Sequence, residues 1–324
     1  MAMDLLYVAL GLSLLLFAGD SLVKGAVNLS LRLGVPALIV SLTIVAFGTS
    51  APELLIAIKA VLDNAPGIAM GNVVGSNTAN VLLVLGLPAL IVGLDTRDSD
   101  TRRTFLMMIG ASLLFLMVCL LGPVTWMHGL VLLFALCLIL FDAFLSARKH
   151  RRDNAEADTL APEEDPLTEL EGVDPTLSWF KIAMFIALGL MGLPLGADLL
   201  VDGAVDIATE IGISQTVIGL TLVAVGTSLP ELATTVMAAL RRQADVVLGN
   251  VIGSNMFNLL AIIGIAGVVG DIPVPPEILR LDLWVMLAAS ALLAPFVFFR
   301  WPLNRAWGAA FLAGYAGYLG VLLT

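Results

Sequence analysis

Histidine and cysteine are nearly absent: the 324 residues include two of each. No histidine lies near the motifs described below, so an intramembrane enzyme built on an activated nucleophile has no obvious base. Cys119 and Cys137 resemble neither a metal-ligand pair nor a disulfide framework, and each reads as small apolar filler. Charge is scarce too. Lys, Arg, Asp and Glu make up 13% of the chain, about half the share of a soluble domain. There is no extended basic surface with interleaved aromatics, which excludes nucleic acid as a partner. The N-terminus lacks a basic leader and a cleavage site, so residues 5–17 are expected to be a retained first helix.

What fills the chain is apolar surface, 59% of residues with a mean hydropathy of +1.01. That is more than a soluble core needs, and several runs reach the roughly 20 residues that cross a bilayer. The expected fold is an all-α integral membrane protein. Ten spans are predicted near 4–29, 36–62, 67–93, 103–122, 125–147, 178–204, 214–240, 245–269, 281–299 and 305–323. With both termini outside, thirteen of the sixteen Lys and Arg fall on or beside inner loops, as the positive-inside rule requires. The net charge of −10 is local: nine of 26 acidic residues lie within 153–174, beside Pro162, Pro166 and Pro175. Residues 148–177 are therefore expected to form a cytoplasmic acidic linker between two five-helix halves, 1–147 and 178–324.

The two halves are related. Residues 43–54 read TIVAFGTSAPEL and residues 221–232 read TLVAVGTSLPEL, at an offset of 178. GNVVGSNTAN at 71–80 and GNVIGSNMFN at 249–258 repeat at the same offset. Five spans per half is an odd number, so the second copy enters the membrane from the opposite side. The result is two inverted repeats of five helices each, an arrangement known from secondary transporters.

Each copy carries a proline and a glutamate in mid-span. Pro52 has no N–H, so the Gly48 carbonyl loses its helical partner. Carbonyls freed at membrane depth are tolerated where protein or a wet cavity satisfies them. Thr49 and Ser50 share a face with Glu53, and Thr227, Ser228 and Glu231 repeat the pattern. In the next span Asn72, Ser76 and Asn80 fall at four-residue intervals, matched by Asn250, Ser254 and Asn258. Carboxylates, hydroxyls, amide oxygens and loosened carbonyls make an all-oxygen site suited to a hard cation.

Each element has a plainer role open to it. Single serines and asparagines in membrane helices often bond helix to helix, and Gly71/Gly75 and Gly249/Gly253 suit close helix packing. A pair of intramembrane glutamates is harder to explain structurally. Asp20 and its repeat mate Asp198, with Asp202, fit either an access path or helix bracing.

GTSxPE followed by GNxxGSN, twice and inverted, resembles the alpha-repeats of the calcium/cation antiporter superfamily, and most of all the prokaryotic sodium/calcium exchangers. The repeats would span about 36–93 and 214–270. The resemblance implies carboxylate ligands Glu53 and Glu231, and hydroxyl ligands Thr49, Ser50, Ser76, Thr227, Ser228 and Ser254. It implies backbone-carbonyl ligands Ala46 and Ala224, and amide ligands Asn80 and Asn258. Some potassium-dependent relatives carry aspartate where this chain has Asn258, so potassium dependence is not expected. The implied activity is antiport of Ca2+ against Na+ across an inner-membrane-type plasma membrane. It needs no cofactor, and its only partners are lipid and inorganic cations. Proton-coupled divalent antiport by the same fold, and a cation channel, are the alternatives.

Overall fold

The computed structural model describes residues 2–97, 99, 101–157, 174, 176–211 and 224–322. In the first half, α1 is Ala2–Leu33, α2 is Ala37–Thr49, α3 is Ala51–Leu62, α4 is Pro66–Val92, α5 is Arg102–Leu121 and α6 is Trp126–Ala157. In the second, α7 is Trp179–Glu210, α8 is Ala224–Gly226, α9 is Leu229–Leu240, α10 is Ala244–Val269, α11 is Ile278–Phe298 and α12 is Arg305–Leu322. Seven of these helices are long and apolar enough to cross a membrane, and the bent pair α2–α3 makes an eighth span. Helix α9 is the described half of the predicted seventh span, whose residues 214–223 lie outside the described residues. Helix α12 supplies the tenth; glycine, tyrosine and Arg305 lower its mean hydropathy.

Topology is fixed by loop pairing. Leu94, after the third crossing, bridges to Leu303, after the ninth; Val124, after the fourth, bridges to Ile272, after the eighth. Odd meets odd and even meets even, so each pair lies on one side of the membrane. Arg32, after the first crossing, likewise donates to the Leu177 carbonyl, after the fifth. Two five-helix halves of opposite orientation satisfy all three.

Burial separates centre from periphery. The apolar windows of α4 and α10 are 72% and 89% buried, while that of α6 is 17% buried and meets lipid. The polar stripes are therefore on the two innermost helices. Helices α1 and α7 run along each other across the front of this core. Glycines permit their contact: a methyl on Gly196 would lie 2.9 Å from the Leu15 nitrogen.

Three details add to the sequence reading. Helix α6 continues to Ala157, ten residues into the predicted linker, whose residues 158–173 lie outside the described residues. Gly249 and Gly253 pack against the α2 backbone at Leu38 and Leu42, whereas Gly71 and Gly75 have no such contact among the described residues. Asp20 is a brace: it bonds Arg241 at 2.5 Å and Lys24 at 2.9 Å, while Asp198 and Asp202 are exposed.

Candidate cation-binding site

The prolines break their spans as the sequence dictates. Pro52 sits in the first turn of α3, where its missing N–H costs nothing, and the chain bends 44° between α2 and α3. Ser50, at the break, has φ −85° and ψ 6°; Ser228, at the break before α9, has φ −89° and ψ 4°. One tripeptide thus imposes one backbone geometry in both halves. The C-terminal, carbonyl-rich end of α2 meets Glu53 in the first turn of α3, an arrangement that broken transporter helices use to hold cations. The neighbouring helices are loosened as well. A π-helical stretch, Ser41–Val45, precedes Ala46; others begin at Asn80 and at Phe257, one residue before Asn258. Such bulges displace carbonyls from the regular ladder and are frequent at functional sites.

Glu53 and Glu231 are each 1% exposed. The halves touch directly: the Ser50 hydroxyl donates to Glu231 Oε1 at 3.0 Å. Thr49 Oγ1 reaches Asn250 Oδ1 at 3.4 Å. Ser76, Asn80, Ser228, Ser254 and Asn258 are buried alongside, and Thr227 is half-buried. The Ala46 carbonyl accepts from the Ser50 N–H at 3.1 Å, with its second lone pair nearest the Thr49 hydroxyl at 3.3 Å. Ala224 opens the short helix α8, next to residues outside the described set.

Eight buried side-chain polar atoms lack a hydrogen-bond partner among the described residues. Six of them are oxygens of this constellation: Glu53 Oε2, Glu231 Oε2, Asn80 Oδ1, Asn258 Oδ1, Ser228 Oγ and Ser254 Oγ. The other two, on Asn72 and Gln243, are nitrogens. Buried polar atoms are nearly always paired, because an unpaired one costs about 1–3 kcal/mol. The six oxygens come from both halves, and the carboxylate and amide oxygens among them offer lone pairs that suit a cation and not an anion. Among the described residues no three His, Cys, Asp or Glu side chains come together, so neutral oxygens outnumber carboxylates.

Two residues emerge that the sequence reading did not single out. Asn80 Nδ2 donates to Asn255 Oδ1 at 3.1 Å, and Asn258 Nδ2 donates to Asn77 Oδ1 at 3.0 Å. These crossed bonds occupy the amide nitrogens and leave both Oδ1 atoms free. The available signal was the identity of Asn77 and Asn255 at the 178-residue offset. The paired Asn72 and Asn250 divide instead. Asn250 braces α9 through the Glu231 carbonyl at 3.3 Å and Thr235 Oγ1 at 3.0 Å. Asn72 lines a cavity of about 480 Å3 that reaches Ser76 and Thr227 and continues past Asp282 and Tyr318.

Comparison with known proteins agrees with this geometry. The family described as sodium/calcium exchanger protein matches residues 3–145 and 181–324. The chain is 32% identical over 349 residues to sodium/calcium exchanger MaX1 of Methanosarcina acetivorans, covering 98% of each. It is 32% identical over 316 residues to inner membrane protein YrbG of Escherichia coli, covering 96% of this chain and 94% of that one. The solved structure of the sodium/calcium exchanger from Methanococcus jannaschii superposes with a TM-score of 0.82 at 30% identity, over 98% of each chain. With ten spans in two inverted halves and both signature motifs repeated in them, the chain belongs to the sodium/calcium exchanger family.

Proposed function

We propose that this protein is a secondary active antiporter that exchanges Ca2+ for Na+ at the site between α2–α3, α4, α8–α9 and α10. The observation that carries the proposal is the set of six partnerless buried oxygens around two carboxylates, one from each inverted half. Ca2+ takes about six to eight oxygens, and two ionised carboxylates match its charge. The ligands are assigned as Glu53 and Glu231; the hydroxyls of Thr49, Ser50, Ser76, Thr227, Ser228 and Ser254; the amide oxygens of Asn80 and Asn258; and the carbonyls of Ala46 and Ala224. Na+ uses the same oxygens. It cannot share them with Ca2+ beside both glutamates, because like charges a few ångströms apart repel strongly in a site of low dielectric. Mutual exclusion at one site, exposed alternately to the two sides, couples the fluxes.

The protein works as a single chain in a prokaryotic plasma membrane, with inorganic cations as substrates. Both termini are assigned to the outside, and the linker 148–177, joining halves 1–147 and 178–324, to the cytoplasm. The clustering of Arg32, Arg102, Arg103, Arg241 and Arg300 on the linker side supports that orientation. The test is radiocalcium flux in proteoliposomes with Na+, K+ and H+ gradients imposed separately. Uptake should follow an outward Na+ gradient alone. Uptake driven by a pH gradient without sodium, or single-channel currents, would reject the reading.

A further inference from the structure

An asparagine is an ambiguous cation ligand. Its side-chain amide is oxygen at one end and NH2 at the other, and only the oxygen suits a cation. Something must therefore choose the rotamer of Asn80 and of Asn258. The crossed pair Asn77 and Asn255 makes that choice. Were Asn258 reversed, its oxygen would abut Asn77 Oδ1, lone pair against lone pair, and its NH2 would face the ion site. The Asn77 amide is itself fixed, because its Nδ2 donates to the Asn255 backbone carbonyl at 3.2 Å. Asn255 is held more loosely: its Nδ2 reaches the Met108 sulfur at 3.8 Å, a weak acceptor. All four asparagines are at most 1% exposed, so water does not arbitrate.

Given the exchanger reading above, we propose that Asn77 and Asn255 are positioning residues. Each holds the amide of the opposite repeat's ligand so that its carbonyl oxygen faces the cation, without touching the cation itself. Residues that orient metal ligands in this way typically contribute about ten- to a hundredfold to affinity. The anchoring of Asn77 to backbone makes it the more demanding of the two.

A double-mutant cycle on the purified full chain in detergent tests this, with Ca2+ affinity read by calorimetry. Asn77→Leu is close to isosteric and should weaken Ca2+ binding about tenfold or more. Asn258→Asp changes the requirement, because a carboxylate presents oxygen in either orientation. In that background, Asn77→Leu should alter affinity by less than about twofold. Equal weakening in both backgrounds would mark Asn77 as merely structural, and an unchanged affinity in the native background would overturn the proposal outright. Should Asn77→Leu fail to fold, Asn77→Ala runs the same cycle. Loss of Na+-driven flux with the coupling intact would sink the exchanger reading and leave this one standing. A native chain that binds no Ca2+ would overturn both.

Discussion

Glu231→Gln isolates the charge at the centre of the protein. Glutamine has the shape of glutamate, and its Oε1 can still accept from Ser50, 3.0 Å away in the native chain. What changes is the other atom. Glu231 Oε2, buried and without a hydrogen-bond partner among the described residues, becomes an NH2 whose hydrogens point toward the proposed cation position. The site loses one negative charge and gains a misdirected donor. Removing one member of a buried charge pairing costs about 3–5 kcal/mol. At a factor of ten per 1.4 kcal/mol, Ca2+ affinity should fall by roughly two to three and a half orders of magnitude. The monovalent ion should suffer less, because the Coulomb energy scales with the product of the charges. Radiocalcium uptake into Na+-loaded proteoliposomes, titrated against Ca2+, reads the loss. Na+ binding to the detergent-purified variant reads the contrast. Native uptake at low Ca2+ would refute the ligand assignment, and equal weakening for both ions would refute the electrostatic explanation.

Three other substitutions probe the supports. Ser50→Ala deletes the hydrogen bond from the α2–α3 break to the Glu231 carboxylate, a contact to a charged group worth about 1.5–3 kcal/mol, so Ca2+ affinity should drop roughly ten- to a hundredfold; a change under twofold, read against the additivity of about 0.3–0.5 kcal/mol, would remove Ser50 from the site. Asp20→Asn leaves Arg241, whose side chain is 17% exposed, without its carboxylate. The unfolding midpoint should fall by several degrees, at roughly 2–4 °C per kcal/mol, and an unchanged midpoint would show that the ion pair braces nothing. Gly253→Ala places a methyl 2.5 Å from the Leu42 carbonyl and 2.6 Å from the Ala46 Cβ, forcing α2 off α10 at the carbonyl assigned to the ion. Overpacking of this kind costs about 1–3 kcal/mol, and flux should be lost in a protein that still folds; native flux would show that the α2–α10 contact is not critical.

Much of the site was legible because it is written twice. Two copies of one motif at one offset placed the breaks at Pro52 and Pro230, and the structure gives Ser50 and Ser228 nearly the same backbone angles. What the letters hid is how identical residues diverge when their neighbours differ. Asn250 finds Thr235, so its amide is spent on bracing. The repeat mate of Thr235 is Ala57, which has no hydroxyl, and Asn72 Nδ2 is left unpaired. The four-residue stripe was also read as one regular helix. The π-helical turns at Asn80 and Phe257 break that register at the proposed amide ligands, and no local propensity announces them. Asp20 was ambiguous for a related reason: its partner Arg241 is 221 residues away.

The same comparison of twins explains why the two ends of the molecule are unlike. Asp20, Lys24 and Arg241 form one ion-paired cluster where α1 lies along α9, and Gly19 meets the Ala233 carbonyl there, a Cβ falling 3.0 Å from it. Shifted by 178 residues, these positions read Asp198, Asp202 and Asp63. The ion pairs of one half thus have no opposite charges at the matching positions of the other. Among the described residues, helix α7 has no packing along α3 comparable to that of α1 along α9, and the three aspartates are exposed. The ion-paired cluster ties α1 to α9 in one half, and the matching positions carry no such tie between α7 and α3 among the described residues.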